Sequence, residues 1–307
     1  MQKGTVLIAG GTGFIGTRLA EMLRQEGYVV RLLTRSPKGK DQFLWDPSER
    51  ELEIAALQDL DFLINLAGEG IAEKRWTASR KKKLVESRVQ GANLLFRKLE
   101  ILNSRPEVYI SASGIGYYGN SGEQTMQEDD LPTDKGFMVE CCQKWEEAAG
   151  QMSELSIRTV IFRIGVVLGR EGGALAELLK PLRFGLGVYF GDGKAWWSWV
   201  HRDDVCRAIL WAMEHPEVAG TYNLVAPSPV RGKELVKSTA RARKQWALFL
   251  PAPAFLLRLI FGEMAAAILN SNRVASEKLT RSGFEFQWPE PNTALRSIFA
   301  PQSHKDL

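Results

Sequence analysis

The strongest constraint on the fold lies near the start of the chain. An apolar run, Thr5–Ala9, passes directly into Gly10-Gly11-Thr12-Gly13-Phe14-Ile15-Gly16 and then into a helical pattern. A lone glycine triplet says little, but glycines between an apolar strand and a helix predict a dinucleotide-binding loop. Gly10 permits the tight turn, and Gly13 lets the backbone approach a pyrophosphate. Gly16 lets the helix pack close to the sheet. The unpaired amides of residues 12 to 15, at the positive end of the helix, then point at the anion. Candidate cofactor residues here are Gly10, Thr12, Gly13, Phe14, Ile15 and Gly16. The competing reading is a turn that only joins strand to helix.

The rest of the first half continues the alternation. Strands are expected at 5–9, 29–33, 62–66, 108–113 and 157–164, with helices at 13–26, 77–102 and 137–151. Gly27 stands where a left-handed residue ends the first helix. In the longest helix, Val85, Val89, Ala92, Leu95, Phe96 and Leu99 recur at threes and fours and predict the buried stripe. Strands alternating with helices give an α/β fold, a doubly wound parallel sheet. Beyond about residue 170 the pattern changes to a glycine-punctuated, loop-rich stretch holding Trp196, Trp197 and Trp199. It is followed by helical segments at 203–215 and 232–244, a strand at 222–225 and a helical, apolar end. The 307 residues suit two domains. The expected division is a Rossmann domain over 1–170 with contributions from 200–225, and a mixed substrate-binding region over 171–307. Within the latter, 250–300 forms a helical C-terminal piece.

Composition narrows the function classes. A net charge of +4 is too small and dispersed to argue for nucleic acid or an anionic membrane. Three cysteines, Cys141, Cys142 and Cys206, make no disulfide framework, and three histidines make no metal site. The apolar region 246–269 is broken by Pro251, Pro253, Arg258 and Glu263, so it cannot span a bilayer as one helix. No signal peptide is read at the N-terminus. The expectation is a cytoplasmic protein with no nucleic-acid or membrane partner and no metal.

The second strand bears on cofactor choice. NAD-binding folds usually place an acid there for the ribose 2′-hydroxyl. This chain instead has Thr34-Arg35-Ser36, with Lys38 and Lys40 close behind. A guanidinium can clamp a 2′-phosphate, so NADP (NADPH) is expected over NAD. The alternative is that Arg35 is an ordinary surface charge.

Several further motifs carry a resemblance. They are Asn65-Leu66-Ala67-Gly68, Ser111-Ala112-Ser113 before Tyr117-Tyr118-Gly119, Phe162-Arg163, Phe190-Gly191-Asp192-Gly193, the run from Trp199 to Val205, and Gly220-Thr221-Tyr222-Asn223-Leu224. With the glycine loop, they resemble the extended short-chain dehydrogenase/reductases of the NAD-dependent epimerase/dehydratase group. A closer resemblance is to the atypical "epimerase family" branch, on Glu69-Gly70-Ile71, Arg75-Trp76-Thr77, Ser87-Arg88-Val89, Gly262-Glu263-Met264 and Gly283-Phe284-Glu285-Phe286. The resemblance implies a Rossmann fold with a smaller, discontinuous C-terminal substrate domain, and a possible homodimer through helices 77–102 and 137–151. It adds Thr34, Arg35, Ser36, Leu66, Ala67, Gly68, Glu69, Arg88, Ser111, Ala112, Arg163 and Ile164 to the cofactor-binding candidates.

The chain departs from the wider group in its acid–base machinery. The usual tyrosine and lysine, four apart on one helix, lower the phenol pKa and hold the ribose. Here the aligned pair is Phe137 with Cys141 or Met138 with Cys142, and neither can act as a phenol beside an ammonium. Ser113 and Tyr117 remain as catalytic candidates, with local packing of the tyrosines as the alternative. Arg88 is expected to reach an anion or to pair with Glu86 or Glu69. His201 and Asp204 read as a structural pair, and the adjacent cysteines as packing residues in no electropositive setting. The function expected is an NADP(H)-dependent oxidoreductase or nucleotide-sugar-epimerase-like enzyme on a small polar substrate. The alternative is a non-catalytic NADP(H)-binding sensor.

Overall fold

The five apolar runs of the first half form the centre of one sheet. The structure is a computed structural model that describes residues 3–300. Eight strands, β1 (Thr5–Ala9), β2 (Val29–Thr34), β3 (Gln42–Asp46), β4 (Glu51–Leu52), β5 (Phe62–Asn65), β6 (Val108–Gly114), β7 (Arg158–Ile164) and β8 (Gly220–Leu224), lie in the order β8-β7-β6-β5-β1-β2-β3-β4. All neighbouring pairs are parallel except the terminal β3–β4 hairpin. The chain winds outward from β1 to one edge, then from β5 to the other. That reversal between β1 and β5 is the switch point at which α/β sheets open a crevice for ligands.

The helices are α1 (Phe14–Gln25), α2 (Ala78–Leu102), α3 (Phe137–Gly150), α4 (Gly173–Leu182), α5 (Arg202–Glu214), α6 (Gly232–Ala242), α7 (Ala254–Phe261), α8 (Met264–Leu269), α9 (Glu277–Arg281) and α10 (Pro291–Phe299). Alternation along β1 splits the core. Val6 and Ile8 pack on one side with α1 and α5, while Leu7 and Ala9 pack on the other with α2. Burial on both faces is why the central strands read as unbroken apolar runs. Thr77 caps α2 by accepting from the Arg80 amide at 3.1 Å. Gly27 closes α1 with φ +90°, the left-handed conformation expected of it.

Four expectations need correction. The buried stripe of α2 is Leu84, Arg88, Ala92, Leu95 and Leu99, while Val85, Val89 and Phe96 lie half-buried on its flank. The periodicity was right, but a buried arginine takes one of its positions. The edge strands β3 and β4 have mixed polar sequences with no alternation to mark them. The stretch after residue 170 is not mainly loop, because α4 and the strand Leu186–Phe190 occupy it. The strand Leu248–Ala252 likewise precedes the helical end and pairs in parallel with Leu186–Phe190. Trp199 is wholly buried in a second core with Leu168, Leu178 and Leu235, so it is a packing residue and not part of an open loop.

The last third of the chain returns to the sheet. Leu279 and Phe284 pack in the same core as Ile8 and Val108. Asp204, fully buried, accepts from the amides of Gln287 and Trp288, each at 3.0 Å, and from Arg207 at 2.8 Å. His201 stacks on Trp288 at 3.9 Å and accepts from the Asp203 amide through Nδ1. His201 and Asp204 are therefore structural, but they hold the C-terminal piece separately and not as a pair. No helix among the described residues is long and apolar enough to cross a membrane.

Candidate active site

The glycine loop crosses the switch point. Gly10, with φ +79°, sits so near the turn after β5 that a Cβ there would lie 2.8 Å from the Leu66 carbonyl carbon. A Cβ on Gly16 would lie 2.3 Å from the Gly10 oxygen and 2.6 Å from the Gly11 Cα. The glycines are thus required by backbone meeting backbone, as the sequence spacing implied. Gly13 caps α1 with no side-chain hydrogen bond to its first turn. The opening amides of α1 therefore have no internal partner. Thr17 secures the turn by donating its amide and hydroxyl to the Gly13 oxygen at 2.9 and 2.7 Å.

Phe14 ties this loop to the second half. Its ring lies against Gly169 and Gly172, where added Cβ atoms would approach to 2.6 and 2.8 Å, and the Arg202 guanidinium covers it at 5.1 Å. A cleft of about 720 Å³ opens beside Thr12, Gly13 and Phe14 and runs toward His201, Arg202 and Trp288. At the end of β2, Thr34 is half-buried while Arg35, Ser36, Lys38 and Lys40 are exposed. Leu66, Ala67, Gly68 and Glu69 follow β5 on the other side of the switch point, with the Leu66 amide donating to the Ala9 oxygen at 2.9 Å and the Ala67 amide to Asn65 Oδ1 at 3.1 Å.

Arg88 lies against that segment. It is 5% exposed, and a Cβ on Gly68 would sit 3.0 Å from its guanidinium carbon. It donates to the carbonyls of Leu84 and Glu69 at 2.8 and 3.1 Å and stacks over Trp145 at 4.8 Å. It pairs with neither carboxylate expected for it. Glu69 takes Arg80 across the loop before α2, and Glu86 takes Lys82 one helical turn away. The cysteines do sit close enough to Arg88 to feel its charge, contrary to the sequence expectation. Burial nonetheless prevails: both thiols are pushed up, Cys142 to about 12, so they stay protonated.

At the carboxyl ends of β6 and β7 a buried acid organises the site. Glu146 on α3 holds Arg163 in a two-pronged pair at 2.9 and 2.8 Å and accepts from Ser113 Oγ at 2.7 Å. Arg163 also donates to the Tyr118 hydroxyl and the Glu128 carbonyl, both at 2.9 Å. Tyr118 in turn donates to Asn223 at 2.7 Å. Desolvation pushes the Tyr118 phenol up to about 12, so it cannot serve as a base near neutral pH. The Arg163 guanidinium lies 3.4 Å from the half-buried Tyr117 ring centroid. The side chains of Ser113 and Arg163, expected to face ligand, are thus engaged with Glu146. No hydrogen bond joins Ser113 to Tyr117 among the described residues. Ser111 is wholly buried, its hydroxyl turned to the Ala112 carbonyl, and Ile164 is nearly so.

Sequence reasoning missed Glu146. Its signal was positional: it lies four residues after Cys142 and one after Trp145, on a face otherwise apolar. Met138 and Cys142, one of the two pairs that the resemblance sets against the usual tyrosine and lysine, pack against Gly116, at 3.2 and 3.7 Å from a Cβ placed there. Met138 also joins Trp76, Phe137, Phe261 and Met264 in a small apolar cluster. Met138 is therefore closed over by the loop before α2 and the C-terminal helices.

A polar latch spans the outer loops. Glu123 accepts twice from Arg231 at 2.8 Å and once from Trp196 Nε1 at 2.9 Å, and the Trp196 ring lies between Arg231 and Arg273. The Arg231 guanidinium first, then the indole donor, lowers the Glu123 carboxyl from 4.5 to about 2. A depressed carboxyl contributes stability above its unfolded value and loses it as pH falls through the folded one. The latch should therefore release between about pH 4.5 and 2. Tryptophan fluorescence should report an acid transition in that window which Glu123→Gln removes; an unchanged transition in the variant refutes the assignment.

Residues 6–225 match the NAD dependent epimerase/dehydratase family, and residues 252–298 match a domain of unknown function, DUF1731. The chain is 35% identical to mouse epimerase family protein SDR39U1, covering 96% of this chain and 99% of that one. It is 34% identical to Bacillus subtilis epimerase family protein YfhF, over 96% and 98%. The crystal structure of human epimerase family protein SDR39U1 with NADPH superposes with a TM-score of 0.87 at 33% identity, over 96% and 98% of the two chains. With its crossed glycine loop, its switch-point crevice and a match over most of its length, the chain belongs to the NAD dependent epimerase/dehydratase family.

Proposed function

We infer that the chain binds NADP(H) across the switch point and works as an oxidoreductase on a small polar substrate. The observation that carries the cofactor reading is the pairing of uncapped α1 amides with an exposed Arg35 at the end of β2. The amides suit a pyrophosphate and the guanidinium suits a 2′-phosphate. The structurally similar human protein, crystallised with NADPH, supports the same choice. Gly10, Thr12, Gly13, Phe14, Ile15 and Gly16 would hold the pyrophosphate, with Thr34, Arg35 and Ser36 at the 2′-phosphate. Leu66, Ala67, Gly68 and Glu69 would line the opposite side. Arg88 would lend positive charge from below, and the Ser111, Ala112, Arg163 and Ile164 backbone would floor the nicotinamide end. NADPH, when bound, supplies a hydride.

Tyr117 is then the proton donor, since Tyr118 is locked in its hydrogen bonds and Ser113 donates to Glu146. A second reading is a cofactor-occupancy sensor, favoured by Phe137 with Cys141, or Met138 with Cys142, standing where the resemblance sets the acid–base pair. Titration with NADPH and NADH tests the cofactor. Wild type should prefer NADPH, and Arg35→Ala should weaken NADPH by about tenfold or more, from the loss of one charge-assisted contact, while leaving NADH unchanged. Equal affinities in wild type, or unchanged selectivity in the variant, defeat the reading. NADPH oxidation with a panel of carbonyl compounds decides between enzyme and sensor: no turnover assigns the sensor.

A further inference from the structure

The part of the chain after residue 170 leaves many large apolar side chains open to water. Leu186 opposes Leu248 and Val188 opposes Leu250 in the two-stranded parallel pair, so the four share one side of it. Leu248 and Leu250 are 50% and 41% exposed. Phe184 and Trp246, two residues ahead of Leu186 and Leu248, reach 84% and 80%. After Pro253 the chain enters α7, where Phe255, Leu256, Leu259 and Ile260 are all exposed. At 3.6 residues per turn these four fall within an arc of about 140°, with buried Leu257 outside it. Large apolar side chains exposed in this number, on a strand pair and on the helix that follows it, mark an interaction site.

The charge around it has one sign. No acid occurs between Glu177 and Asp192, nor between Glu234 and Glu263. The bordering Glu177, Glu234 and Glu263 are already paired with Lys180, Lys237 and Lys81. Arg183, Lys244 and Arg258 are exposed and make no ion pair among the described residues. The chain-wide excess of +4 conceals this local field. A two-fold contact with a second copy would set each of these cations near its own kind, which disfavours self-association through this face.

We propose that this face docks on an anionic lipid surface. Trp246, Phe184 and the outer side of α7 enter the headgroup boundary, and Arg183, Lys244 and Arg258 meet the anionic headgroups. The contact is interfacial, lying on the bilayer and not spanning it. It gives this face, to which α7 of the DUF1731 match contributes, a role that does not depend on the cofactor reading.

The test is co-sedimentation of the full chain with vesicles of phosphatidylcholine alone, or of phosphatidylcholine mixed with phosphatidylglycerol. The chain should sediment with the mixed vesicles and not with phosphatidylcholine, and high salt should release it. Each of Arg183→Gln, Lys244→Gln and Arg258→Gln should weaken binding about fivefold. The triple substitution Trp246→Ser, Phe255→Ser, Leu259→Ser should weaken it more than about tenfold. All six residues are exposed, and an unchanged circular dichroism spectrum identifies folded variants. Binding to neither vesicle, equal binding to both, or full binding by either set of variants overturns the proposal. So does a concentration-dependent dimer, seen by light scattering without lipid, that the triple substitution dissolves.

Discussion

Gly16→Val is expected to reduce NADPH affinity by more than about a hundredfold and to destabilise the chain by about 3 kcal/mol. The cause is geometric. A Cβ at this position meets the Gly10 oxygen at 2.3 Å and the Gly11 Cα at 2.6 Å, and both are backbone. No rotamer relieves that contact, so α1 must move away from the turn. The first amides of the helix move with it, and the helix end that would face the pyrophosphate is displaced. Fluorescence titration with NADPH and urea denaturation measure the two effects. Wild-type affinity in a folded Gly16→Val variant would show that this packing does not place the phosphate site.

Glu146→Gln is expected to cost about 3–5 kcal/mol of stability. Glu146 and Arg163 have side chains only 12% and 5% exposed, so each depends on the other for compensation. The substitution leaves Arg163 as a buried cation whose remaining partners are a phenol and a carbonyl. It also weakens the acceptor for Ser113. Removing both charges, as Glu146→Gln with Arg163→Leu, should recover part of the loss, because the stranded charge is the main penalty. Urea midpoints for the two single variants and the double variant decide the matter. A Glu146→Gln midpoint equal to wild type would mean that the pair is not what holds α3 to β7.

Most of the sheet was legible because its central strands are buried on both faces and bounded by glycine turns. The expected strands 5–9, 29–33, 62–66, 108–113 and 157–164 each lie within two residues of an observed one. The edge strands β3 and β4 escaped notice, since an edge needs no apolar alternation to find a partner. The glycine loop was readable because Gly10 and Gly16 stand where backbone meets backbone. The acid–base region was not. The resemblance leaves Phe137 with Cys141 or Met138 with Cys142 as the aligned pair, and spacing does not say what surrounds either one. Met138 is closed over by Trp76, Phe261 and Met264, contacts that span much of the chain. Glu146 was obscured by the same limit, because a glutamate on a helix reads as solvated until its long-range partner is known.

The return of Leu279 and Phe284 to the core around β1 and β6 has an evolutionary implication. A nucleotide half ending near residue 225 would expose that apolar surface and strand the buried Asp204 without the amides of Gln287 and Trp288. The two segments that match separate families are therefore not exchangeable modules. A lineage could not have gained the C-terminal segment as a late ornament, or shed it, without rebuilding the hydrophobic interior of the nucleotide half. Inheritance should keep the two together, with substitutions at positions 204, 279 and 284 tied to one another.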